Sequence, residues 1–173
     1  MKKVIIFGKP VTVIVKNSKR DAVRLRKNKL FVYSHKKAPS LLIKEYLSNM
    51  LYEELYNIYE KIKRDSKIQI IGSLDFDIVE KIDGRKDRIA KLKGNVILIR
   101  LDVIGAPKRA IKYIVCHELA HTLVKRHTKK FWKILETIYP NYKIGEKLMI
   151  RYGKLLHLTK LCPITRRSLN PSK

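Results

Sequence analysis

Cysteine, long apolar runs and acid are all scarce in this chain of 173 residues, and each shortage narrows the class of protein. The only cysteines, Cys116 and Cys162, build no disulfide framework, and neither belongs to a C-x-x-C pair. A reducing, cytoplasmic setting therefore fits better than a secreted one. No apolar run approaches the ~20 residues of a membrane span, so no membrane partner is expected. The opening M-K-K-V-I-I-F-G-K-P has an apolar run of Val4 to Phe7 only, short of the roughly 7–15 residues of a signal-peptide core. Internal repeats and low-complexity tracts are absent. Acid is outnumbered most of all: 15 Asp/Glu face 40 Lys/Arg, for a net charge of +25. Residues 1–44 hold 13 basic residues against Asp21 alone, and residues 119–173 hold 13 against Glu136 and Glu146. The stretch 45–118, with 14 against 12, is nearly neutral. Such a balance says nothing of fold, but it points to DNA or another polyanion as a partner, with a well-solvated surface as the plain alternative.

What is present suffices for one folded domain. Hydrophobic residues make up 45% of the chain, too many for a disordered one, and the length fits a single unit over 1–158 with a basic tail at 159–173. The first third reads as strands, Val4–Phe7 and Val11–Val15, then a basic hairpin region through 35 that turns at Lys27-Asn28. A long helix of about 41–63 follows, with Leu47, Leu51, Leu55, Ile58 and Ile62 in one stripe. Strand-like pieces return at Lys67–Ile71, Leu74–Glu80 and Asn95–Leu101, a sheet region of about 67–101, with turns at Gly72-Ser73, Asp83-Gly84 and Gly94-Asn95. Pro107 suits the first turn of a helix running to about 125, and the Thr128 hydroxyl can cap the next. Helices at about 129–156, interrupted by Pro140, complete an α+β layout.

The chemistry is concentrated in C-H-E-L-A-H-T-L-V-K-R-H, residues 116–127, which holds three of the five histidines. His117 and His121 are four apart, so on a helix they share one face and can reach one Zn²⁺ at about 2.0–2.1 Å. Glu118, beside the first, can take a proton from a metal-bound water, the general-base task of an HExxH hydrolase. A catalytic zinc takes a third protein ligand and keeps a position open. His127 is the candidate, yet it lies six residues past His121, which on a continuous helix puts it about 120° off the ligand face at ~3.6 residues per turn. It can join only if the helix stops between them, with Lys125–His127 as a tight connection. Cys116 points off the ligand face and is expected in the core, while His35 and His157 have no partners at metal-ligand spacing.

Residues 111–132, I-K-Y-I-V-C-H-E-L-A-H-T-L-V-K-R-H-T-K-K-F-W, resemble the YgjP-like metallopeptidase family, relatives of the SprT and WLM zincins. The matching positions are Tyr113, His117, Glu118, Leu119, His121, His127, Phe131 and Trp132, with Y-P-N-Y-K at 139–143 similar to the family's Pro-x-Tyr element. The resemblance implies His117, His121 and His127 as zinc ligands and Glu118 as general base. It also implies a minimal zincin: an active-site helix under a small mixed sheet whose edge strand, here Val96–Leu101, aligns a peptide. Departures are Ile82-Asp83-Gly84-Arg85 where the family has a Trp-Gly-Ser/Cys element, and Arg126 where it has Asn before the third histidine. Metzincins share the histidine spacing, but Val124 stands at their glycine and no Met-turn follows, so that label is rejected.

Two functions compete. One is a zinc peptidase acting on a peptide or protein, with DNA-associated proteins among the candidate substrates, in which Tyr113 or Tyr142 has the right chemistry to stabilise the oxyanion. The other is a nucleic-acid-binding protein with a structural zinc, in which basic residues interleave with Phe31, Tyr33 and Tyr46 to hold phosphates and stack bases. Three histidines and a neighbouring glutamate fit the catalytic arrangement better, because structural sites usually fill four protein ligands.

Overall fold

The computed structural model describes residues 2–65, 73–84 and 88–155. The expected strand at 67–71, Arg85, His157, Cys162 and the tail 159–173 lie outside the described residues.

The first sheet contains β1 (Lys3–Ile6), β2 (Lys9–Asn17), β3 (Ala22–Arg26) and β4 (Lys29–Ser34) in the order β1-β2-β4-β3. Two antiparallel hairpins, β1–β2 and β3–β4, join through a parallel β2–β4 pair. The first hairpin turns at Phe7 and Gly8, both at positive φ (49° and 79°), the backbone that a two-residue turn needs to match strand twist. Alternation then sorts the faces: Val11, Val13, Leu30 and Val32 are buried, while Ile14, Phe31 and Tyr33 are half-buried on the other side among exposed basic residues. The hairpin expected at Lys27-Asn28 is present, with Arg26 opposite Lys29.

Helix α1 runs Pro39–Asp65 and buries Leu42, Leu47, Leu51, Leu55, Tyr59 and Ile62. The sequence stripe held Ile58 where the structure buries Tyr59 more deeply. The Tyr59 hydroxyl accepts the Leu74 N–H at 3.3 Å, so its polar end is satisfied inside.

A second sheet of β5 (Asp75–Val79), β6 (Ala90–Lys93) and β7 (Val96–Arg100) has the order β5-β7-β6. This corrects the expectation that Val96–Leu101 forms an edge: β7 is central, paired parallel to β5 and antiparallel to β6. Its near-continuous apolar run is the mark of a strand covered on both sides. The edge beside β7 is β6, which the sequence reading did not anticipate. The piece A-K-L-K is short and half lysine, the usual way an exposed edge is blunted.

After a 3₁₀ turn at Leu101–Gly105 come α2 (Lys108–Leu123), α3 (Lys129–Ile138) and α4 (Tyr142–Leu155). The tip of the first hairpin is tied to this turn: the Phe7 and Gly8 N–H groups donate to the carbonyls of Ile104 (2.7 Å) and Gly105 (3.1 Å). Helix α2 is buried from Ile111 to Ala120 except at Lys112, and α4 crosses it closely at Gly145. A Cβ there would lie 2.7 Å from both the Arg109 carbonyl oxygen and the Tyr113 Cβ. One continuous apolar cluster extends from Ile6 to Met149. Among the described residues, no helix is long and apolar enough to cross a membrane.

Candidate metal centre

Because α2 is enclosed on nearly all sides, the polar pair it carries is buried with it: His117 is 1% exposed and Glu118 7%. The Glu118 carboxylate accepts the Leu92 N–H of β6 at 3.0 Å, a group that the edge strand turns away from β7. Burial pushes the Glu118 carboxyl up to about 7, opposed by the Leu92 N–H and more weakly by the charge of Arg88. A carboxyl poised there changes protonation near neutral pH, as a general base must.

The turn that His127 requires is present. Helix α2 ends at Leu123, and Val124 is extended (φ −140°, ψ 111°). The Val124 carbonyl accepts the Nδ1–H of His121 at 3.2 Å, which leaves His121 Nε2 with a free lone pair. The end of the helix therefore both redirects the chain and orients a histidine. Beyond it Thr128 donates its N–H to the Arg126 carbonyl (2.8 Å) and occupies the N-cap of α3, although its hydroxyl makes no capping bond, contrary to the sequence expectation.

His127 thereby swings back until its Nε2 is 3.0 Å from His117 Nε2. Its ring centroid lies 4.9 Å from that of His117 and 4.6 Å from that of His121. The ligand atoms of all three fall within 4.8 Å of one another. Two nitrogens on a tetrahedral ion at about 2.0–2.1 Å are roughly 3.3 Å apart, so the set fits a divalent ion. The protonation states fit as well. Burial, then the neighbouring His121 and His127, lowers His117 to about 3, and burial also lowers His121 and His127. All three are neutral ligands at pH 7 without losing a proton. His117 is buried while His121 and His127 are half-exposed, which gives the cluster one covered and one accessible side.

Aromatic rings hold the histidines in place. Phe131, fully buried, has its centroid 5.0, 4.7 and 4.6 Å from His117, His121 and His127. Trp132 lies 5.9 Å from His127 and stacks at 5.9 Å on Tyr142. His117 Nδ1 is buried with no hydrogen-bond partner among the described residues, so packing against Phe131 and Tyr113 sets its orientation. The Tyr113 hydroxyl donates to Glu146 at 3.3 Å. Cys116 is fully buried, as expected, and burial pushes its thiol up to about 12. His35 is exposed and distant in role: its N–H donates to Asp21.

The model of the YgjP-like metallopeptidase domain matches residues 1–152. The chain belongs to the YgjP-like metallopeptidase family. The match spans both sheets and all but the end of α4, well beyond the histidine segment that carries the resemblance. Membership makes a metal ion the cofactor and a peptide or protein the substrate of a hydrolase. Neither the curated proteins nor the solved structures compared with the chain give a match.

Sequence reasoning missed Leu92, Val124 and Glu146 as partners of the site. Only Leu92 had a signal: the Gly94-Asn95 turn before a strong strand implies a preceding strand to pair with it.

Proposed function

We propose that the chain is a cytoplasmic zinc-dependent peptidase in which His117, His121 and His127 hold Zn²⁺ and Glu118 is the general base. A single domain over 1–158 carries this activity. The observation that carries the reading is the convergence of three neutral imidazoles next to a buried glutamate whose carboxyl is raised towards neutrality. Zn²⁺, when bound, supplies Lewis acidity that acidifies a water and polarises a carbonyl. The residues do the rest. Glu118 accepts the proton of the attacking water and delivers it to the leaving amine. Its hydrogen bond to Leu92 couples that carboxylate to β6, whose other outward N–H and C=O groups suit it, rather than β7, to align an extended peptide. With the Tyr113 hydroxyl engaged by Glu146, Tyr142 is the remaining oxyanion candidate.

Among the described residues no fourth ligand joins the histidines, and Cys116 is in the core, which speaks against a structural zinc. A preference for DNA-associated proteins rests on the resemblance to the SprT and WLM zincins together with the charge of +25.

The deciding experiment is metal analysis and peptide hydrolysis of the wild type beside Glu118→Gln. Zinc in both proteins, with hydrolysis only in the wild type, is expected. Wild-type protein purified without metal and failing to take up added zinc would overturn the reading.

A further inference from the structure

We propose that the outward face of the first sheet is a platform for single-stranded nucleic acid. The strand registers put three rows across it. Lys3, Thr12, Lys29 and Arg26 form one, Ile14, Phe31 and Arg24 the next, and Lys16, Tyr33 and Ala22 the third. The centre of the face is aromatic and aliphatic, with Ile14, Phe31 and Tyr33 half-buried, while Lys3, Lys16, Arg24, Arg26 and Lys29 around it are exposed. The Lys16 ammonium lies over the Phe31 ring, 5.8 Å from its centroid. Tyr46, which the sequence grouped with these aromatics, is on α1 and packs against the core instead.

This is the composition that an unpaired strand selects. Bases have two flat faces that stack on aromatic rings whatever their sequence, and the backbone needs cations along the same track. Phe31 and Tyr33 are two residues apart on β4, so their Cα atoms are roughly 6.7 Å apart and both side chains stand on one face, room for two successive unstacked bases. A purely solvated basic surface explains the charges but gives no reason for the aromatic centre. The one acid of residues 1–44 does not interrupt the track. Asp21 has its carboxylate occupied by the backbone N–H groups of His35 (2.6 Å) and Lys37 (3.2 Å). Charge also decides against this chain's own residues 156–173 as the occupant, because they bring four more basic residues and no acid.

The platform stands independently of the peptidase reading, since none of its residues belongs to the metal centre. The test uses the full chain and fluorescence anisotropy with labelled oligothymidylate and oligouridylate of about a dozen nucleotides, a matched duplex and a polyglutamate peptide, from low to physiological salt. Single strands are expected to bind more tightly than the duplex or polyglutamate. Removing one base stack with Phe31→Ala is expected to weaken binding roughly 5- to 150-fold. Arg24→Gln with Arg26→Gln is expected to flatten the log–log salt slope by about 0.7 for each phosphate that is no longer neutralised. Which oligonucleotide binds more tightly separates DNA from RNA. Both variants should stay folded at the assay temperature and hydrolyse a short peptide at the wild-type rate. Absence of binding at about 50 mM salt, or the same affinity after both substitutions, overturns the platform. Polyglutamate binding as tightly as the single strand, and unaffected by Phe31→Ala, overturns it too and assigns the face to acidic protein partners.

Discussion

Phe31 and Phe131 are the same residue in opposite settings. Phe131 is fully buried and touches all three imidazoles, whereas Phe31 is half-buried on an open sheet face with a lysine over its ring. The difference shows how a chain of net charge +25 keeps a cation site. A dication is repelled by the chain's overall charge, but that repulsion is screened beyond about 8–10 Å, while ligand nitrogens act at contact. The metal half therefore needs neutral histidines with rings rather than lysines against them. The sheet half has no such need and leaves its cations in water. The metal site keeps cations out of its walls, and the sheet face displays them.

The largest expected effect breaks the metal half at a single proton. Glu118→Gln keeps the size of the side chain and an oxygen able to accept the Leu92 N–H, so fold and metal content should persist. The rate of peptide hydrolysis should fall roughly 10²–10⁴-fold, the usual contribution of a positioned general base. Metal content by mass spectrometry and single-turnover hydrolysis check it together. A variant that keeps wild-type rate would remove Glu118 from the mechanism.

Next comes the direct contrast of the two phenylalanines. Phe131→Ala should cost about 3–5 kcal/mol in urea unfolding and weaken metal affinity, because the rings that pack the histidines lose their wall. Phe31→Ala should cost less than half of that and leave metal affinity unchanged. Equal costs would mean that the sheet face is core, covered by something, and not open.

Smaller, and confined to the metal half, is Gly145→Ala. The new methyl meets the Arg109 carbonyl oxygen and the Tyr113 Cβ, both rigid parts of α2, so the helices must separate. Overpacking of this kind costs about 1–3 kcal/mol, read in the same unfolding assay. The displacement also pulls at Glu146 and Tyr113, so a lower metal affinity should accompany it.

How legible this contrast was in the sequence depended on the range of the interactions. The helices and the four strands of the first sheet followed from local alternation and spacing. His127 was resolved as a conditional, metal-competent only if α2 ends early, and the end at Leu123 satisfies the condition. The basic face was visible because alternation puts Arg24, Arg26 and Lys29 opposite the buried residues. What could not be read was pairing across the fold. The sequence shows β7 as the most apolar strand, and only its neighbours β5 and β6 make it central. A-K-L-K has no strong apolar pattern of its own, so the strand that holds Glu118 was marked only by the Gly94-Asn95 turn after it. Nor can spacing reveal that Gly145 marks a helix crossing, since the crowding comes from a helix more than 30 positions earlier.

The smallest effect tests the display half at its one acid. Asp21 accepts backbone N–H groups of His35, Lys36 and Lys37, and the bond from His35 does most to hold its carboxyl below the ordinary 3.8, against some burial. The sign follows from linkage. A carboxylate lowered in the folded state contributes stability that is present above its ordinary pKa and is lost as pH falls through the lower, folded value. The loop after β4 should therefore keep slow amide exchange at His35 and Lys37 down to about pH 4 and lose it only in stronger acid. Asp21→Ala should remove that protection at every pH. Because the carboxylate is solvent-exposed, the global unfolding midpoint should hardly move. Unchanged exchange at His35 in the variant would mean that the loop is held by its own chain path, and that the basic half does without its only acid.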